Sequence, residues 1–257
     1  MTGERNIRLL LAFDGTGYAG WQRQKDLPTV QGVLEEKIAV MTGGPVTLHG
    51  AGRTDAGVHA LGMVANFATN SAIPCSGFFR GLNSLLPEDI RILNASEAPP
   101  DFHARFSATG KCYLYEMTMG EVPLPTERLY RTHLDHTLCL EEVRRCLDLL
   151  VGRHDFSSFE ATGSRDPANG NGLGAVREIY AAALCHVPGG TEKLQVSISG
   201  NGFLRHMVRN IVGTLVEVGQ GRRSVESFAH LFEIRDRSAA GPTMPAKGLF
   251  LKEVYYA

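Results

Sequence analysis

The sequence predicts an α+β fold made of two related units. Strand-like and helix-like patterns alternate in a similar order within each half of the 257 residues. Pro99 and Pro100, with the segment running to Ala108, interrupt that pattern near the middle. A hydrophobic share of 43% is enough to bury a real core. We place the boundary after Arg105, giving an N-terminal unit over 1–105 and a C-terminal unit over 106–257. No residue-level repeat accompanies the similarity of the halves.

The elements follow in order. Ile7–Phe13 reads as a strand that stops at the turn Asp14-Gly15-Thr16-Gly17. Thr29 is placed to cap a helix over Val30–Met41, with Val30, Val33, Leu34, Ile38 and Met41 on one face and Gly43 just beyond. Val46–His49 is a short strand, Met63–Phe67 resumes extended structure, Phe78–Leu86 is helical and Ile90–Ala95 is a strand. In the second half, Lys111–Thr118 is a strand and Leu140–Val151 an amphipathic helix with Val143, Leu147, Leu150 and Val151 as its stripe. Ala161–Ala175 is a polar, glycine-rich loop. Strands at Val176–Ala183 and Lys193–Ser199 precede an apolar helix over Phe203–Val218, a second helix over Ser224–Ile234 and a last strand over Leu249–Tyr255.

Composition narrows the function classes. The formal net charge of −1 neither requires nor excludes a polyanionic partner, because a basic stripe can sit inside a neutral total. The five cysteines are odd in number and form no C-x-x-C pair, which argues against a disulfide framework or a cysteine zinc site. No signal-peptide pattern follows Met1, and no apolar run approaches a bilayer span. The expectation is a cytoplasmic protein with no membrane segment.

Several motifs compete for the chemistry. Gly15-x-Gly17-x-x-Gly20 matches the dinucleotide fingerprint, but Trp21 to Pro28 intervene before any helix can start. A turn exposing Tyr18, Trp21, Arg23 and Lys25 suits nucleic acid, and a buried Trp21 anchoring the loop explains the same residues. His133-x-x-His136 lacks the helical spacing and intervening acid of a zinc motif. Neither G-x-S-x-G nor a Walker-type loop is present.

The run Gly50-Ala51-Gly52-Arg53-Thr54-Asp55-Ala56-Gly57-Val58-His59 is more informative. It sets a carboxylate two residues after an arginine, among glycines that clear space for a large group. A nearby cation favours the ionised acid, which suits a nucleophile or an electrostatic stabiliser better than a proton donor. An aspartate in a glycine-rich loop is also a common turn former, so both readings stand on the loop alone. Lys111, Tyr113 and Tyr115 share one strand face, either as core tyrosines or as a cation beside a ring that stacks on a base. Arg209 lies on a helix otherwise too apolar for the surface, so it needs a partner such as Asp55.

Taken together, Phe13-Asp14-Gly15-Thr16, Gly20-Trp21-Gln22-Arg23-Gln24, Thr29-Val30-Gln31-Gly32, Gly52 to His59, Phe102 to Ala108, Met207 to Gly213 and Ala246-Lys247-Gly248-Leu249 resemble the tRNA pseudouridine synthase A family. The resemblance runs from near the N-terminus to the last strand. It implies conversion of uridine to pseudouridine at positions 38 to 40 of the tRNA anticodon stem-loop, with no metal and no cofactor. It implies Asp55 as nucleophile, Arg209 as its ionic partner, Tyr113 stacked on the target base and Leu249 in the pocket wall. It also implies two α+β subdomains around a continuous mixed, largely antiparallel sheet, helices on one side, a central cleft, and a homodimer. The family often carries arginine between the two strand tyrosines, where this chain has Leu114. The loop Ser164–Gly174 matches no family motif.

Our candidates for phosphate contacts are Arg53, then Arg80, Arg105, Lys111 and Arg205. No motif places a second carboxylate, which disfavours a two-acid glycoside hydrolase. A non-catalytic RNA-binding protein on the same scaffold is the alternative, although such a module has no need of the acid.

Overall fold

The structure, a computed structural model, describes residues 3–162, 174–187 and 192–257. Nearly all of the loop expected at 164–174 lies outside the described residues. The chain divides into two compact units, Met1–Thr109 with Phe250–Ala257, and Gly110–Leu249.

In the first unit, β1 (Arg5–Phe13) lies between β3 (His59–Thr69) and β4 (Ile90–Ala98), antiparallel to both. The two-residue β2 (His49–Gly50) pairs with β3. The last strand, β10 (Leu249–Tyr256), runs parallel to β3 through Phe250 opposite His59 and Leu251 opposite Ala60. These bonds place Phe250–Ala257 in the first unit, although sequence order sets the strand at the end of the second half. Ile7, Leu9, Leu11 and Phe13 alternate inward along β1, as a strand with one buried face requires.

Helix α1 (Val30–Thr42) starts where Thr29 accepts from the Gly32 N–H at 3.3 Å and ends at Gly43 in the left-handed region, φ 79°. Val30, Leu34 and Ile38 face the core. Helix α2 (Cys75–Leu85) packs on β4, and its Phe78 meets Phe67 of β3 edge-on at 5.5 Å.

In the second unit, β5 (Ala108–Met119), β9 (Glu192–Gly200), β8 (Val176–Val187) and β7 (Gly152–Asp155) pair antiparallel in succession. The short β6 (Thr132–Leu134) runs parallel to β5. Helix α3 (Leu140–Leu150) packs against β8, α4 (Met207–Gly219) and α5 (Val225–Ile234). Phe156, Phe159, Phe228 and Phe232 form one ring cluster, with neighbouring centroids 5.6–6.1 Å apart. Each unit therefore combines a mixed sheet with helices, and the fold is α+β.

Two expectations change. Helix α4 begins at Met207 rather than Phe203, because His206 has φ 62°, a left-handed conformation that no right-handed helix can contain. The strand expected at Val46–His49 shortens to His49–Gly50. Among the described residues, no helix is long and apolar enough to cross a membrane.

Candidate active site

The Asp55 loop is built into the first unit by close packing. A side chain on Gly50 would lie 2.5 Å from the Trp21 ring, so this glycine serves the approach of an indole. Trp21 is buried at 2% exposure, and its main-chain N–H donates to the Thr54 carbonyl at 3.1 Å. The sequence reading of these glycines as space for a ligand is thus corrected at Gly50. The reading of Trp21 as a buried anchor is the one observed. Gly57, φ 77°, turns the chain after Asp55, and the Val58 N–H closes that turn on the Asp55 carbonyl at 3.2 Å. Asp55 itself is half-buried, between buried Thr54 and exposed Ala56.

A ladder of amides braces the same loop. Exposed Arg53 donates through Nε to Gln22 Oε1 at 3.0 Å, and Gln22 Nε2 donates to Gln31 Oε1 at 2.8 Å. Gln31 Nε2 donates in turn to Glu35 Oε1 and to the Leu48 carbonyl. Glu35 also accepts from the Leu48 N–H and pairs with Arg23 at 3.0 Å. Both Gln31 and Glu35 are buried, and each side chain makes several hydrogen bonds, the condition under which buried polar groups are tolerated. Sequence reasoning passed over this ladder. Its signal is Gln31 and Glu35, four apart, each beside a core residue of α1.

In the second unit, Tyr113 and Tyr115 share one face of β5 but differ in surroundings. Tyr115 is fully buried, and its hydroxyl bonds Thr132 Oγ1 at 2.8 Å and donates to the Pro245 carbonyl at 2.8 Å. Burial pushes its hydroxyl well above the ordinary phenol range, while the bond with Thr132 and then the Arg209 charge pull it back. Tyr113, 9% exposed, is met edge-on by Phe203 at 4.9 Å.

Arg209, two residues into α4, is half-buried. Its Nε donates to the Met244 carbonyl at 2.6 Å, and the Met244 N–H returns a bond to the Arg209 carbonyl at 3.2 Å. The segment holding Met244 is fixed by Asn210, which is fully buried. Asn210 Oδ1 accepts from Thr243 Oγ1 at 2.6 Å and from Arg237 Nη2 at 3.1 Å, and its Nδ2 donates to the Phe159 carbonyl at 2.8 Å. Leu249, buried, follows a short turn over Ala246–Gly248 whose Gly248 is pressed against the Tyr115 ring and the Glu116 carbonyl.

The remaining candidates are dispersed. Arg80 is exposed on α2, and Lys111 lies on β5 opposite Gly200. Arg105 is exposed in the first unit. Arg205, exposed before α4, lines an open hollow with His206 and Arg237. Among the described residues, no three His, Cys, Asp or Glu side chains converge as a metal site would need.

Comparison with known proteins gives this geometry a family. The chain matches the family described as tRNA pseudouridine synthase over residues 10–107 and 147–257. It is 50% identical over 252 residues to tRNA pseudouridine synthase A 1 of Desulfotalea psychrophila, covering 98% of this chain and 100% of that protein. It is 46% identical to the tRNA pseudouridine synthase A of Lacticaseibacillus casei and, again at 46%, to that of Geobacter sp. strain M21, covering 98% of this chain and 99% of each relative. A solved chain of the archaeal box H/ACA sRNP Nop10–Cbf5 complex is 11% identical with a TM-score of 0.35, covering 91% of this chain and 60% of that one. With half of its residues shared across the full length of a relative, the chain belongs to the tRNA pseudouridine synthase family, a family of isomerases.

Proposed function

We propose that this protein isomerises uridine to pseudouridine at positions 38 to 40 of the tRNA anticodon stem-loop, with Asp55 as the nucleophile. The observation that carries the reading is the full-length match to relatives named tRNA pseudouridine synthase A, in a chain that keeps the Gly52–His59 run intact. The reaction breaks the bond from C1′ to N1, turns the uracil and rejoins it through C5. N1 gains a proton and C5 loses one, so the change is redox-neutral and calls for no electron carrier.

A stacked uridine cannot present its faces, so the target base leaves the stem at a cost of roughly a few kcal/mol. Tyr113 recovers part of that by stacking, worth about 1–3 kcal/mol per base. Asp55 acts as a carboxylate, since attack at C1′ and attack on the pyrimidine ring both need the anion. Arg209 supplies its counter-charge, and its fixed bond to the Met244 carbonyl supports a constant direction for the guanidinium. Leu249 closes the pocket wall, so the detached uracil is retained. Arg53 holds a phosphate, with Arg80, Arg105, Lys111 and Arg205 as further contacts. The protein works in the cytoplasm as a homodimer, which sedimentation of the pure protein and cell fractionation test.

The deciding experiment incubates unmodified tRNA with the protein and maps pseudouridine by position. Wild type modifies 38 to 40, whereas Asp55→Asn binds the tRNA and forms none. Appreciable turnover by Asp55→Asn removes the acid from the mechanism. Free uracil as the product makes the protein a nucleoside hydrolase, and tRNA binding with no product makes it a binding module.

A further inference from the structure

The segment Phe102–Ser107 does more than join two elements. Asn66, 5% exposed on β3, accepts from the Ala104 N–H at 2.8 Å and donates to the Phe102 carbonyl at 3.3 Å. Asn6 Nδ2 donates to the same Phe102 carbonyl at 2.8 Å, and the Tyr256 hydroxyl donates to the Ala104 carbonyl at 2.7 Å. Within the segment, the Ser107 N–H donates to the His103 carbonyl and the His103 N–H to Ser107 Oγ. Both the Arg105 and Phe106 N–H groups point at His103 Nδ1, at 3.1 and 3.4 Å. A loop with this much internal bonding holds one conformation.

That rigid loop exposes its largest apolar side chain. Phe106 is 74% exposed, with the Arg105 guanidinium 5.6 Å from its ring centroid. The His103 ring lies 4.4 Å from Phe106, and the exposed His49 ring lies 4.7 Å beyond His103. The three rings are tilted by 35–38° to one another, so they form a stepped row of faces. Burial first, then repulsion from His49, holds the His103 imidazole below its ordinary value, which leaves it an uncharged ring at neutral pH.

We infer that Phe106, His103 and His49 form a stacking platform for an unpaired nucleotide of the RNA substrate, with the Arg105 guanidinium on its phosphate. This rests on the reading of the protein as a tRNA-modifying enzyme and adds a contact surface outside the Asp55 chemistry. The charge pattern selects the occupant. Aromatic faces interleaved with a cation suit a base and its phosphate, the combination by which single-stranded RNA is held, and the self-association measurement below tests a protein occupant instead. An exposed ring braced by eight hydrogen bonds in its loop is also preorganised, which reduces the ordering cost of binding.

The test measures binding of unmodified tRNA to the full chain at fixed salt, together with the thermal melt and sedimentation of each variant. Phe106→Ala is expected to weaken binding about 5- to 150-fold, the range that loss of one stacked base gives, with an unchanged melt because the ring is exposed. Phe106→Trp is expected to bind like wild type, and its added fluorescence is quenched by tRNA, while wild type, whose Trp21 is buried, shows no such quenching. Wild-type affinity in Phe106→Ala, or no quenching of Phe106→Trp at saturating tRNA, overturns the platform. A loss of self-association in Phe106→Ala overturns it too, and assigns the surface to a second copy. Pseudouridine mapping, run alongside on wild type and Asp55→Asn, keeps the two ideas apart: the enzyme reading fails if wild type makes no pseudouridine, and the platform fails if Phe106→Ala binds tRNA as wild type does.

Discussion

Asn210→Ala tests how firmly the frame around Arg209 is built. The substitution removes a fully buried amide and three hydrogen bonds, to the Phe159 carbonyl, Thr243 Oγ1 and Arg237 Nη2. Arg237 keeps bonds to the Ala240 and Gly241 carbonyls and to Thr243, so its charge is not stranded. The Phe159 carbonyl and one donor on Thr243 lose the partner recorded here. Each of these two groups, the buried Phe159 carbonyl and the part-buried Thr243 hydroxyl, costs about 1–3 kcal/mol when orphaned, with Thr243 at the low end, and the lost bond to a charged donor adds about 1.5 kcal/mol. Alanine returns about 0.5 kcal/mol in helix propensity. The net expectation is a loss of about 3–7 kcal/mol, the upper part of which few single substitutions reach. Urea unfolding followed by far-ultraviolet circular dichroism reads it as a lower midpoint. Thr243→Val, which removes one hydroxyl from the same network, should cost about 1 kcal/mol. A loss below 1 kcal/mol for Asn210→Ala, or equal losses for the two variants, would show that the network does not hold the segment.

Gly213→Ala should destabilise the protein by about 1–3 kcal/mol although alanine is the better helix former, because the new methyl would sit on the Pro242 carbonyl oxygen. A raised urea midpoint refutes the close approach of α4 to that segment. Alkylation with iodoacetamide at pH 8 should label exposed Cys139 and Cys185 first and leave Cys146 unmodified until the protein unfolds. Burial pushes the Cys146 thiol up to about 12, so it carries almost no thiolate there. Mass spectrometry of native-state peptides checks the order, and early modification of Cys146 would mean that α3 is not packed as described.

The long periodic elements were legible because each repeats one physical signal. Val30, Leu34 and Ile38 with a Thr29 cap and Gly43 beyond announce α1, and the structure has that cap and that left-handed glycine. The short strands were not legible. Thr132–Leu134 and Gly152–Asp155 are three and four residues long, too few to show alternation, and their pairing is decided by β5 and β8 rather than by their own composition. The start of α4 was misread for a different reason. Phe203 and Leu204 continue its apolar pattern, but hydrophobic spacing carries no information about the left-handed turn at His206. At the site, the sequence exposed residue types and missed their supports. The Asp55 run stands out by its glycines, yet the purpose of Gly50 depends on Trp21, far away in the chain.

The supports also explain how distant residues come to act on one frame. Arg209, Tyr113 and Leu249 are spread over more than half of the chain, and nothing in their spacing relates them. Three ties bring their backbones into fixed relation within the second unit. Arg209 and Met244 exchange two bonds, the Tyr115 hydroxyl holds the Pro245 carbonyl, and Gly248 is pressed on the Tyr115 ring. Tyr115 therefore serves structure from the same strand face on which Tyr113 is proposed to serve chemistry. The division follows position along β5, since Tyr115 lies over the 245–248 turn and its hydroxyl reaches the Pro245 carbonyl. A site that depends on close placement gains from this arrangement, because buried or part-buried side chains are fixed by bonds onto main-chain carbonyls. It follows that Tyr115→Phe should impair the reaction through displaced Arg209 and Leu249 while leaving the ring of Tyr113 in place.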